Sequence, residues 1–323
     1  MASQNVEKTR LRLQRRIEEG QYYEAHQQLR VVSQRYLKVG NYDAAIEILT
    51  AGAQSLLKAD QGGSGGDLCL VLVEVYKTAK LAPDSASKSR LVELITMMPA
   101  EEPSRKRFIN ETIAWTSKFG EFPAGDPELH HFIGNLYANE DEVYEAEKHL
   151  ILGTRESAEV LARLLYEWYK QDEAHTAPTY IARAVFGYLL VGNLREACRS
   201  LEVFVGQLMQ ENSTLVIQEV QSASADIRIF PSLPLLNFLS LLTLATQTGG
   251  AEVFRNLKSH YASQLKDIQD WDDAIEHIGE MYFGIQIRRP TNILDMMGSM
   301  FGAGGAPDAR SQAPQITGSF DLD

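Results

Sequence analysis

Gly20-Gln21-Tyr22-Tyr23-Glu24-Ala25 and, twenty residues on, Gly40-Asn41-Tyr42-Asp43-Ala44-Ala45 decide the fold of this chain. In both, a residue that tolerates positive φ is followed five positions later by alanine. One helix therefore ends at the glycine, and the next presents a small side chain where two helices approach closely. The pattern returns at Asp141-Glu142-Val143-Tyr144-Glu145-Ala146 and Gly192-Asn193-Leu194-Arg195-Glu196-Ala197. The first interval is the length of one helix plus its turn. The later intervals, 101 and 51 residues, fit no fixed period, so the stack of helical hairpins is irregular rather than a regular tetratricopeptide series.

Helical periodicity extends outward from these turns. It predicts helices near 5–19, 21–39, 41–59, 67–80, 85–98, 103–119, 127–139, 141–153, 156–171, 177–191 and 193–211, then 232–248, 251–265, 270–284 and 291–301. Breakers mark the joints, among them the run Gln61-Gly62-Gly63-Ser64-Gly65-Gly66, which reads as a flexible loop between two helices. The fold class that follows is all-α: an irregular, tetratricopeptide-like α-solenoid with one β-hairpin inserted in its C-terminal half. A soft boundary near residue 150 separates an N-terminal half, 1–150, from a C-terminal half, 151–301. Residues 302–323 lack periodicity and read as a disordered tail.

The hairpin is the exception to the helical pattern. Leu215-Val216-Ile217-Gln218-Glu219-Val220 and Asp226-Ile227-Arg228-Ile229-Phe230 are β-prone runs joined by the five residues 221–225. A two-stranded ribbon is marginal in water unless something covers one face. The helix behind it carries Leu233, Leu235, Leu236, Phe238, Leu239, Leu241, Leu242 and Leu244, interrupted by a narrow polar stripe of Asn237, Ser240 and Thr243. Two readings stand side by side: a central core helix, or a hairpin and helix that together receive another polypeptide.

Composition narrows the class. The 323 residues carry a net charge of −12, against general nucleic-acid binding, yet residues 1–40 hold eight basic side chains and four acidic ones. A basic first pair of helices on an acidic body suits docking to an acidic partner, although a solvated helical face would look the same. Cys69 and Cys198 lie in apolar helical contexts, which suggests buried thiols in a reducing compartment. With no apolar leader and no stretch of membrane-spanning length, the expected location is the cytosol, where the sequons at Asn110 and Asn212 would stay unglycosylated.

Catalytic signals are weak. Gly62-Gly63-Ser64-Gly65-Gly66 has the letters of a nucleophile elbow but no strand before it, and it lacks the Gly-Lys-Ser/Thr ending of a phosphate-binding loop. The histidines at 26, 130, 131, 149, 175, 260 and 277 have no metal-ligand spacing, and His130 and His131 read as surface residues. No enzymatic activity, cofactor or metal is expected. The residues alone lead to an interaction scaffold.

Four stretches in chain order carry a family resemblance. They are Tyr22-Tyr23-Glu24-Ala25-His26-Gln27 with Arg35-Tyr36; Gly66-Asp67-Leu68 leading to Glu74-Val75-Tyr76; the hairpin followed by Pro234-Leu235-Leu236-Asn237-Phe238-Leu239; and Ile278-Gly279 with Tyr282-Phe283-Gly284. Together they resemble subunit four of the GET (guided entry of tail-anchored proteins) pathway, over about residues 5–301.

That resemblance implies a cytosolic, non-enzymatic adaptor. Its N-terminal half would dock on the targeting ATPase of the pathway. Its C-terminal half would hold a ubiquitin-like-domain protein, subunit five or, in animals, a large ubiquitin-like quality-control protein, which recruits a co-chaperone carrying tail-anchored clients. No nucleic acid and no direct membrane insertion are implied. The ATPase face would draw on Arg12, Arg15, Arg16, His26, Arg30, Arg35 and Lys38 for attraction, with Asp67 and Glu74 acting separately on its nucleotide-linked conformation. The second partner would meet Val216, Ile217, Ile227, Ile229 and Phe230, with Leu236, Phe238 and Leu239 behind. The rival is another helical-repeat adaptor, such as a co-chaperone or a vesicle-fusion attachment protein.

Overall fold

The turn residues of the four short repeats adopt the left-handed backbone that their spacing predicts. Gly20, Gly40, Asp141 and Gly192 have φ of +79°, +71°, +59° and +78°. Each lets the following N–H reach back to close the helix, as Gln21 does to the Arg16 carbonyl at 2.9 Å and Asn193 to that of Tyr188 at 2.8 Å. The alanines five positions on, Ala25, Ala45, Ala146 and Ala197, are all completely buried.

The computed structural model describes residues 2–212, 215–221 and 226–286. Its helices are α1 (Ala2–Glu18), α2 (Tyr22–Lys38), α3 (Tyr42–Lys58), α4 (Gly62–Thr78), α5 (Ser85–Met97), α6 (Pro103–Phe119), α7 (Pro127–Asn139), α8 (Val143–Leu150), α9 (Ser157–Tyr169), α10 (Ala177–Leu190) and α11 (Leu194–Glu211). The strands β1 (Gln218–Gln221) and β2 (Asp226–Ile229) follow, and then α12 (Pro234–Thr248), α13 (Ala251–His260), α14 (Ala262–Leu265) and α15 (Asp272–Phe283). Packing runs mostly between sequence neighbours and helices two apart: α3 on α1, α2, α4 and α5, α4 on α2 and α6, α9 on α7, α8, α10 and α11. This is the α-solenoid of helical hairpins with a β-hairpin insertion. Its apolar contacts run as one continuous core from Val6 to Phe283. The expected helix at 291–301 and the tail at 302–323 lie outside the described residues.

The glycine-rich run is a correction to the sequence reading. Residues 62–66 are not a loop but the first turns of α4. Asp60 takes the left-handed turn at φ +59°, and Gln61 N–H closes back on the Leu56 carbonyl at 2.9 Å. Gly65, five positions after Asp60, is buried where the other repeats place alanine. Asp60–Gly65 is therefore another copy of the motif, in step with those at 20 and 40. A Cβ on Gly65 would stand 2.7 Å from the Leu57 side chain of α3. At Gly66 it would collide with Ser104 of α6. The glycines allow α4 to lie unusually close to both neighbours, and that packing offsets their poor helix propensity.

Two smaller expectations also change. His130 is not a surface residue: it is 3 % exposed and faces the buried His149. Cys69 is buried, but Cys198 is only half-buried, its Sγ 3.5 Å from the Gln247 side-chain amide.

Candidate protein-binding surfaces

At the N-terminal end, α2 and α4 are joined by a charged cluster. Asp67 Oδ2 lies 2.8 Å from His26 Nε2, and Arg30 Nη1, one turn along α2, donates to both carboxylate oxygens at 3.1 and 3.0 Å. His26 and Arg30 are four apart and so share one helix face, while the start of α4 at Gly62 brings Asp67 opposite them. The basic and acidic side chains assigned separate roles from sequence are here in contact with one another. Arg15 is also engaged, through Glu19 at 3.1 Å. Among the described residues, Arg12, Arg16, Arg35, Lys38 and Glu74 enter no ion pair, and all but the half-buried Arg16 are exposed. With Lys8, which is also exposed and unpaired, α1 and α2 thus carry five unneutralised cations beside a closed cluster.

At the hairpin, β1 and β2 pair antiparallel, with Gln218 opposite Ile229, Glu219 opposite Arg228, Val220 opposite Ile227 and Gln221 opposite Asp226. The first strand is shorter than its β-propensity suggested. Leu215 N–H bonds the Asn212 carbonyl at 3.1 Å, and residues 215–217 lie outside the strand. The second strand stops before Phe230 because α12 holds that residue's backbone. Phe230 N–H donates to Asn237 Oδ1 at 2.8 Å, and Asn237 Nδ2 donates to the Phe230 carbonyl at 2.9 Å. This two-bond clamp drives the Phe230 ring inward.

The clamp divides the eight apolar residues expected at the second partner's seat. Phe230, Leu236, Phe238 and Leu239 are at most 1 % exposed and fill the chain's own core, so they support the hairpin and are not a surface. Val216 is 64 % exposed, Ile217 and Ile229 are half-buried, and Ile227 is described in its backbone alone. The polar stripe is mostly internal as well. Asn237 and Thr243 are buried, and the hydroxyls of Ser240, Thr243 and Thr246 bond carbonyls of their own helix at 3.0, 2.9 and 2.8 Å. Asn237 was invisible as a functional residue from sequence: its partner is a backbone seven positions away, and nothing local marks it.

An all-α solenoid of stacked helical hairpins is an architecture that presents long surfaces to other polypeptides, and this one has a charged end and an exposed Val216 beside its hairpin. The family model for Golgi to ER traffic protein 4 matches residues 39–301. The chain is 52% identical to Golgi to ER traffic protein 4 of Aspergillus fumigatus, covering 98% of this chain and 99% of that one. It is 32% identical to that of Schizosaccharomyces pombe, over 90% and 93% of the two chains. Its fold matches the crystal structure of C. therm. Get4 with a TM-score of 0.84 at 51% identity, covering 96% of this chain and 100% of that one. The chain belongs to the Golgi to ER traffic protein 4 family and has a role in the GET pathway. No described helix is long and apolar enough to cross a membrane.

Proposed function

We propose that this chain is a non-enzymatic cytosolic adaptor that bridges the GET-pathway targeting ATPase, docked on the half formed by residues 1–150, to a ubiquitin-like-domain partner seated at the hairpin of the half formed by residues 151–301. Through that partner a co-chaperone would deliver tail-anchored clients. The observation that carries this reading is the gathering of unpaired cations on α1 and α2, at the opposite end of the sequence from the hairpin, where Val216, just before β1, is exposed. Charges suit a partner that binds and leaves quickly; exposed aliphatic area suits one that stays.

Two variants test the division. Arg12→Glu with Arg16→Glu is expected to slow association with the ATPase by about ten-fold at low salt, with the difference shrinking as ionic strength rises. It should leave co-purification of the ubiquitin-like partner unchanged. Val216→Asp is expected to do the reverse, and since Val216 is already exposed the chain should melt at the wild-type temperature. Association kinetics by surface plasmon resonance and a two-partner pull-down read both arms. Unchanged low-salt association would remove the cationic face from the proposal, and a retained partner would remove the hairpin.

A further inference from the structure

We propose that Asp67 is a built-in stand-in for a carboxylate of the docking partner: in the free protein it occupies the cationic site made by His26 and Arg30, and docking exchanges it for the partner's acid. The proposal rests on the reading that an ATPase docks at this end of the chain, and it names the chemistry by which the docking is gated.

The geometry supports an exchangeable contact. Arg30 Nη1 contacts both oxygens of Asp67, and His26 Nε2 contacts one of them, so a single carboxylate takes all three short contacts. A carboxylate from another protein would present the same two oxygens to the same nitrogens. The site is also reachable. The Arg30 side chain is 45 % exposed and that of Asp67 35 %, while His26, at 11 %, forms the fixed floor. An ion pair this open to water contributes little to stability, so giving it up costs the fold little. The surroundings select the sign of the newcomer. The unpaired Arg35 and Lys38 extend along the same helix as His26 and Arg30, and Arg12 and Arg16 stand on the helix packed against it. Such a field draws acidic groups toward a place where a matching cationic fork is already assembled and already filled.

Asp67 is then a positioning residue and a competitor. It keeps Arg30 and His26 in a carboxylate-binding arrangement, and it lowers their affinity for the partner by the occupancy it must surrender. This differs from a direct role in which Asp67 itself grips a cation on the partner, because the two predict opposite signs for the same conservative change.

The experiment measures ATPase binding by surface plasmon resonance for wild type, Asp67→Asn, Arg30→Gln and the double variant. A parallel NMR titration with a hexaglutamate peptide follows the Arg30 Nε–H signal. Asparagine keeps the shape and an acceptor oxygen but removes the competing charge. Asp67→Asn is expected to bind the ATPase roughly two- to five-fold more tightly, the range an exposed ion pair can contribute. Arg30→Gln should weaken binding, and by a larger factor in the Asp67→Asn background than in wild type, since Arg30 is then free to be used in full. Hexaglutamate should shift the Arg30 signal at lower concentration in Asp67→Asn than in wild type. Unchanged or weaker ATPase binding by Asp67→Asn, with wild type binding normally, overturns the exchange. If wild type does not bind the ATPase at all, the docking reading falls, and the hexaglutamate titration alone decides the exchange: equal titrations for wild type and Asp67→Asn overturn it.

Discussion

Gly66→Ala is expected to lower the unfolding free energy by about 1–3 kcal/mol, whereas Gly63→Ala, three residues earlier in the same helix, is expected to raise it by roughly 1 kcal/mol. Both glycines lie in α4, and both would gain the same helix propensity from a methyl group. Space separates them. Beyond its own turn of helix, no atom lies within 4 Å of a Cβ built on Gly63. On Gly66, that Cβ would overlap the Ser104 hydroxyl and come within 2.9 Å of the Ser104 Cβ and 3.2 Å of the Met98 Cε. Ser104 cannot simply swing aside. Its backbone N–H and its hydroxyl both donate to Glu102 Oε1, at 3.2 and 2.8 Å, in the cap that starts α6. The methyl must therefore either push α6 away from α4 or break that cap, and each route loses stability. Urea denaturation of the two variants beside wild type measures the difference. Midpoints that shift together, in either direction, would mean that α4 does not sit this close to α6.

This pair of substitutions also shows where sequence reading stops. The repeats at Gly20, Gly40, Asp141 and Gly192 were legible because everything they need is local: a residue tolerant of positive φ and a small residue five places on. The copy at Asp60 has the same logic written with other residues. Its turn residue is aspartate, and its close-packing residue is Gly65, which has no Cβ at all, so five glycines and polar residues in a row outweighed the register. Glycine is read as a breaker because it costs helix stability when nothing else is known. Here the knowledge needed was the position of Leu57 and Ser104.

The candidate surfaces divide along the same line. Charge bias on the first two helices was visible, since it needs only counting and helical spacing. The pairing of Asp67 with His26 and Arg30 was not, because it joins residues 41 and 37 positions apart. At the hairpin, alternation located the strands, but their ends are set by the Leu215 bond to the Asn212 carbonyl and by the Asn237 clamp. Hydrophobicity correctly marked Phe230, Leu236, Phe238 and Leu239 as buried-type residues. It could not say whether the cover would be this chain or another, and for these four the cover is this chain.

Lowering the pH from about 7.5 to 4.5 is expected to cost the fold about 2–3 kcal/mol through one buried pair, His130 and His149, which joins α7 to α8. His130 Nε2 lies 3.1 Å from the Ala124 carbonyl, which can only accept, so that nitrogen carries the proton. Its Nδ1 is then an acceptor, and His149 Nδ1 donates to it at 3.0 Å. The arrangement requires His130 neutral, since a proton on its Nδ1 would set two N–H groups against each other, and His149 is kept neutral by burial rather than by the bond itself. Burial pushes the His149 pKa from 6.5 down to about 4, with repulsion from His130 and Lys148 adding to it and Glu145 opposing it. Burial lowers that of His130 too, against its bond to Ala124 and the nearby Asp126. The unfolded chain takes up a proton at His149 near pH 6.5, and the folded chain not until near 4. The pair's full contribution is thus present above 6.5 and drains away as the pH falls through that window. Carboxylates elsewhere also titrate in acid, so the diagnostic is a comparison of slopes. His149→Gln should be less stable than wild type at pH 7.5, because the ring contacts with His130 and Tyr137 are lost, yet it should lose about 2–3 kcal/mol less on acidification to 4.5. Urea melts of both proteins at the two pH values give the four free energies, and parallel losses in the two proteins would assign the acid sensitivity to other groups. The drain is steep only below about pH 6.5, so the pair acts at neutral pH as a rigid joint, with α7 and α8 pinned by two imidazoles that the core keeps uncharged.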